Sequence, residues 1–277
     1  MQKKTYLTTL CCILFVASAA YSQTPADVLE PGAKYVALGS SFAAGPGIPE
    51  QLGTCGRSDH NYSNLVATAL ELTLTDVSCN GATIDNIRNT AQRDLPPQID
   101  AITPDTALVT VTIGGNDINY TSSTFACSGT APDEHCTANL DRAAISNELS
   151  QLPDELGEML DEIKAKAPQA IIVLVTYPRV FPIDAASCSE LELSAEDTAY
   201  LADLGQNLEQ AFVSAASSRQ ISIADAYVRA AGHGPCATPA ERWVNGASVA
   251  DTGIRYHPTA DGHIEMARLV LVALGNN

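Results

Sequence analysis

Four short stretches hold the residue types that acyl transfer needs, and they are spread along the whole chain. Gly39-Ser40-Ser41 offers a hydroxyl, Asn80-Gly81-Ala82 a backbone N–H at a glycine, Gly114-Gly115-Asn116-Asp117 a side-chain amide, and His257-Pro258 an imidazole. A serine hydroxyl becomes a useful nucleophile when a base takes its proton, and the oxyanion that then forms needs N–H donors already in place. Each stretch taken alone has an ordinary reading. Serine after a strand is a favoured helix N-cap, or a phosphate ligand. Asn116 after a Gly-Gly suits a turn, and so does Gly81. Their weight depends on the elements that carry them.

Five apolar runs have strand character, at 35–38, 72–77, 107–113, 170–176 and 221–224. The third and fourth are nearly continuous in β-branched residues, as strands covered on both faces tend to be. Helical patterns lie between and after them, at 62–70, 145–166, 195–217 and 260–274. Strand alternating with helix predicts a parallel sheet with helices on both sides. Ligands of such sheets bind outside the carboxyl ends of the strands. Ser41, Gly81 and Asn116 follow the first three runs, and His257 sits just before the last helix, so all four are expected in one crevice. Three irregular segments, 122–139, 178–194 and 232–251, carry four of the cysteines and the single tryptophan, Trp243, and are expected to be site loops. No repeat, low-complexity tract or dividing linker interrupts residues 23–277, which read as one domain.

The chain has 277 residues, 45% of them hydrophobic and 17% charged, which is globular composition. Lys3 and Lys4, an apolar stretch at 7–16 and small residues at 17–22 read as a cleaved export signal over 1–22, too short in its core for a membrane span. A secreted protein, extracellular or periplasmic, without a stable membrane anchor is expected. Cys11 and Cys12 would leave with the leader. The six that remain read as disulfides, with 15 possible pairings that sequence does not choose among. Neither Cys-x-x-Cys nor His-Glu-x-x-His occurs, so no metal or cofactor is expected. The formal charge is -17, from 15 basic and 32 acidic residues. Such a surface repels nucleic acid, which is discounted as a partner.

In order and spacing, the four stretches resemble the blocks of the GDSL, or SGNH, hydrolase family of serine esterases and lipases. The resemblance implies a three-layer α/β/α fold on a flavodoxin-like parallel five-stranded sheet. It also implies a seryl acyl-enzyme mechanism. Ser41 would attack the ester, and His257 would take and return the proton. The N–H groups of Ser41 and Gly81 with the Asn116 amide would form the oxyanion hole. The cysteine layout resembles the secreted bacterial lipase and phospholipase branch, whose sequential pairing implies Cys55–Cys79, Cys127–Cys136 and Cys188–Cys236. That branch suggests lipid or other acyl esters as substrates, and a monomer is expected. A carbohydrate acetyl esterase is the alternative enzyme, and a non-catalytic binding protein on the same fold the alternative of another class. Two positions depart from the family pattern. Ser40 stands where the motif has aspartate, and Ile254 stands three residues before the histidine, where aspartate is usual. The Ile254 backbone carbonyl is therefore expected to orient His257, with Asp251 as its rival. His263 is expected to be a capping or surface residue, His60, His135 and His233 to be solvated, and Asp117 to bond the local backbone.

Overall fold

The computed structural model describes Met1 and residues 29–129, 135–183 and 188–275. Apart from Met1, the leader expected over 1–22, and residues 23–28 of the expected domain, lie outside the described residues. In chain order the elements are β1 (Lys34–Gly39), α1 (Ser41–Ala44), β2 (Gln51–Leu52), β3 (Arg57–Ser58), α2 (Tyr62–Ala69), β4 (Thr73–Asp76), α3 (Ile84–Arg88) and β5 (Thr106–Thr112). They continue with α4 (Tyr120–Cys127), α5 (Arg142–Lys166), β6 (Ile171–Val175), α6 (Ala195–Ser217), β7 (Ser222–Ala224), α7 (Ala226–Arg229) and α8 (Ala260–Ala273).

Five strands form one sheet in the order β4-β1-β5-β6-β7, every neighbouring pair parallel. They are the five apolar runs. Their order puts β1 beside β5, so the topology reverses at β1, which is the flavodoxin arrangement and the place where such sheets bind ligands. Side chains alternate between the two faces. Val36, Leu38, Val109, Val111, Ile172 and Leu174 face a core shared with α3, α4, α5 and α6. Tyr35, Ala37, Leu108, Val173 and Val175 face a second core shared with α2 and α8. The long helices bury one stripe each, such as Leu201, Leu204, Leu208 and Phe212 of α6, and full burial of each such side chain contributes about 1.5–3 kcal/mol. Side chains at the entry of five helices accept from an N–H in the first turn: Asn61 for α2, Asp141 for α5, Ser194 for α6, Asp225 for α7 and Thr259 for α8.

The three disulfides join Cys55 to Cys79, Cys127 to Cys136 and Cys188 to Cys236. One expectation needs correcting. The segment 122–139 does not begin irregularly, because α4 runs to Cys127. Its Tyr-Thr-Ser-Ser-Thr-Phe sequence has little amphipathic contrast, and the helix is held instead by burial of Tyr120, Ser123, Thr124 and Cys127.

Candidate active site

Strand β1 ends at Gly39, which pairs in register with Thr112 at the end of β5. Gly39 has φ 144°, and a Cβ there would lie 2.5 Å from the Thr112 carbonyl oxygen, so the two strands approach too closely for a side chain. Buried Gln98 clamps this residue, accepting from the Gly39 N–H at 2.8 Å and donating to its carbonyl at 3.0 Å. The chain then turns directly into α1, and Ser41 is its first residue. Its Oγ lies 2.8 Å from Nε2 of His257, 216 residues away in sequence. Both are almost fully buried.

The other imidazole nitrogen, Nδ1, lies 2.8 Å from the backbone carbonyl of Arg255. This corrects the expectation of Ile254. The Ile254 carbonyl instead accepts the His257 N–H at 3.2 Å, closing a turn over 254–257, and the Asn245 amide at 3.3 Å. Asp251 is exposed and makes no contact with the ring. The reason lies in Tyr256, the third residue of that turn, which has φ 55°. Positive φ at this position reverses the central peptide of a turn, here the one that carries the Arg255 carbonyl. A left-handed tyrosine costs of order 1–3 kcal/mol and needs its surroundings to hold it. Its hydroxyl does so, bonding the Leu191 carbonyl at 2.8 Å and Ser128 Oγ at 2.9 Å.

A carbonyl accepts only from an N–H, so the neutral ring carries its proton on Nδ1 and turns the Nε2 lone pair to Ser41. Burial pushes the His257 pKa down to about 4, against a smaller upward effect of the Arg255 carbonyl. The imidazole is therefore neutral across the physiological range and able to act as a base.

The three expected oxyanion donors lie on the turns after β1, β4 and β5. Among the described residues neither the Ser41 N–H nor the Gly81 N–H has a hydrogen-bond acceptor. Asn116 donates one amide hydrogen to the Ala82 carbonyl at 2.8 Å, which leaves its second free. Asp117 accepts the Ile84 N–H at 2.9 Å, so two adjacent side chains grip 82–84, just past Gly81. Burial raises the Asp117 pKa to about 6. From the other side, Asn80 N–H donates to the Cys55 carbonyl at 2.9 Å beside the Cys55–Cys79 disulfide. The glycine turn is thus held at both ends.

Sequence reasoning missed the aromatic setting of the imidazole. Phe42 packs on His257 with ring centroids 4.7 Å apart, and Phe125 of α4 stacks on it at 6.0 Å. Phe42 directly follows Ser41 and could have been suspected from that alone; Phe125 gave no signal. His263 is not the surface residue that was one of its two expected roles, though it does cap a helix, α2. It is fully buried in α8, and its Nδ1 accepts the Tyr62 N–H at 3.1 Å, serving the start of α2. His60 and His135 are exposed, and His233 stacks on Trp243 at 4.0 Å. Among the described residues no group of three His, Cys, Asp or Glu could hold a metal ion.

The profile of the GDSL-like Lipase/Acylhydrolase family matches residues 37–263. Lipase 2 of Streptomyces coelicolor is 32% identical over 262 residues, covering 88% of this chain and 87% of its own. The Lipase of Streptomyces rimosus is 28% identical and covers 92% of this chain and 90% of its own. Among solved structures, phospholipase A1 from Streptomyces albidoflavus superposes with a TM-score of 0.73 at 23% identity, covering 87% of this chain and 99% of that one. An acetyl-xylooligosaccharide esterase from Geobacillus shares the fold more distantly, with a TM-score of 0.54 at 17% identity.

Proposed function

This chain belongs to the GDSL-like lipase/acylhydrolase family and is an ester hydrolase, and from that premise we propose that it is a secreted serine esterase of acyl-lipid type working through a Ser41–His257 dyad. The observation that carries the reading is the 2.8 Å contact of Ser41 Oγ with His257 Nε2, with Nδ1 held by the Arg255 carbonyl. Ser41 Oγ attacks the ester carbonyl as its proton passes to Nε2. The oxyanion that forms is met by the N–H groups of Ser41 and Gly81 and the free amide hydrogen of Asn116. His257 then gives the proton to the departing alcohol, leaving acyl-Ser41. Water, deprotonated by the same nitrogen, hydrolyses the acyl-enzyme and restores both groups. A carboxylate behind the histidine is not required, since the task is to fix tautomer and orientation, and the Arg255 carbonyl does that.

Residues 23–277 act as a single catalytic domain after loss of the leader at 1–22. The three disulfides suit an oxidising compartment, and no helix among the described residues is long and apolar enough to cross a membrane. The relatives named as lipases and a phospholipase support acyl-lipid esters as substrates. The test is hydrolysis of p-nitrophenyl acetate and octanoate by the purified protein. Faster turnover of the octanoate, abolished in Ser41→Ala, supports the proposal. A strong preference for acetate points to the acetyl-esterase alternative, and undiminished activity in Ser41→Ala overturns the mechanism.

A further inference from the structure

The residue before the nucleophile is one of the two places where this chain leaves its family pattern. Ser40 has no exposed surface, and its Oγ lies 2.9 Å from the hydroxyl of Tyr177, just past the end of β6. The same phenolic oxygen accepts the Gly115 N–H at 3.2 Å. One atom therefore joins the turn after β1 to the turn after β5. The ring is seated firmly, with its centroid 4.4 Å from Phe42 and 6.0 Å from Phe212. A Cβ on Gly115 would come within 2.9 Å of that ring, so glycine at 115 is what lets the phenol reach the backbone. Burial drives the Tyr177 pKa up. The group stays a neutral hydroxyl, able to donate one hydrogen bond while accepting another.

Ser40 directly precedes Ser41, whose N–H is one oxyanion donor, and Gly115 directly precedes Asn116, which supplies another. We propose that Tyr177 is a positioning residue of the esterase site: through Ser40 Oγ and the Gly115 N–H its hydroxyl sets the spacing between the nucleophile turn and the Asn116 turn. The inference rests on the Ser41 acyl-enzyme reading. A carboxylate at position 40 would be a buried charge beside this phenol, and serine makes the link neutral, avoiding that desolvation cost. The effect falls on the transition state, because the donors bind the oxyanion more strongly than the ground-state carbonyl.

The experiment compares Tyr177→Phe, Ser40→Ala, the double variant and Ser41→Ala with the parent protein. It reads kcat and KM on p-nitrophenyl acetate and the inhibition constant of an alkyl trifluoromethyl ketone, whose adduct carries an oxyanion. Tyr177→Phe is expected to lower kcat by about 10-fold and leave KM within about 2-fold, since the interaction matters only in the transition state. Inhibitor affinity is expected to fall in step with kcat/KM. Ser40→Ala should show the same split, and the double variant should lose no more than the worse single one, because the two act as a unit. If Tyr177→Phe does not fold, Ser40→Ala alone decides. The proposal is overturned if a folded single variant keeps parental kcat and inhibitor affinity, or if the two losses multiply in the double variant. Ser41→Ala separates the two levels. An active Ser41→Ala removes the acyl-enzyme reading itself, whereas an inactive one beside fully active Tyr177→Phe and Ser40→Ala removes only the positioning role.

Discussion

Two histidines six residues apart make the comparison that explains this site. His257, on the turn before α8, and His263, inside α8, are both buried, and burial pushes their pKa values down to about 4 and about 3. Both are neutral at pH 7, yet they are opposite tautomers. His257 Nδ1 faces a carbonyl, that of Arg255, so its proton sits on Nδ1 and its Nε2 lone pair meets Ser41 Oγ. His263 Nδ1 faces an N–H, that of Tyr62, so its lone pair is consumed there and its proton sits on Nε2, which has no partner among the described residues. Burial makes each ring neutral. The backbone group behind the ring decides which one is a base.

The largest test of that contrast is substitution at each position. His257→Ala is expected to lower kcat on p-nitrophenyl esters by about 10⁴-fold or more. His263→Gln, which keeps an acceptor for the Tyr62 N–H, is expected to stay within about threefold of the parent. Comparable losses at both positions would erase the distinction. Next in size is the oxyanion donor. Asn116→Ala should cost about 10²–10³-fold in kcat with little change in KM, and a loss confined to KM would contradict the role given to its amide.

A smaller effect concerns pH. The base form of His257 is lost only as pH falls through about 4, so the acid limb of kcat/KM should have its midpoint near there. Initial rates from pH 3.5 to 7, with aliquots returned to pH 7 to show that the protein survived, measure it. A midpoint at about 6.5, the ordinary histidine value, would mean that the ring is hydrated in the free enzyme. The last effect is one of stability. A histidine held neutral in the fold but free to charge when unfolded costs nothing above about pH 6.5. Its cost grows as pH falls toward the depressed folded value. Between pH 7 and 4 the parent should therefore lose stability relative to His263→Gln, by on the order of 1–3 kcal/mol. The raised carboxyls of Asp117 and Glu209 titrate in the same window in the opposite sense, but they are common to both proteins and cancel in the difference. Parallel melting curves at every pH would show that His263 is not the buried neutral group described.

The same contrast shows what was legible in the sequence. The sheet was, because β-branched runs such as Ile171–Val175 carry their signal locally. The meeting of Ser41 with His257 was, because strand ends in this topology converge and a hydroxyl and an imidazole are types that pair there. The group behind His257 was not. It depends on a peptide reversed by a left-handed tyrosine, which no residue type at 254–256 announces. The burial of His263 was not legible, because the α2 terminus it caps, at Tyr62, lies 201 residues away and a helix face gives no hint of such a contact. Tyr177 was invisible for a related reason. Its ring is placed by a gap at Gly115 and by Phe42 and Phe212, which meet only after the sheet has formed.

The most direct measurement is mass spectrometry after labelling with an alkyl fluorophosphonate, which loses fluoride as a serine oxygen bonds to phosphorus. Fragment ions should place a single adduct on Ser41 rather than Ser40, and the label should be absent from Ser41→Ala and His257→Ala while His263→Gln labels like the parent. An adduct on Ser40, or unimpaired labelling in His257→Ala, would contradict the dyad.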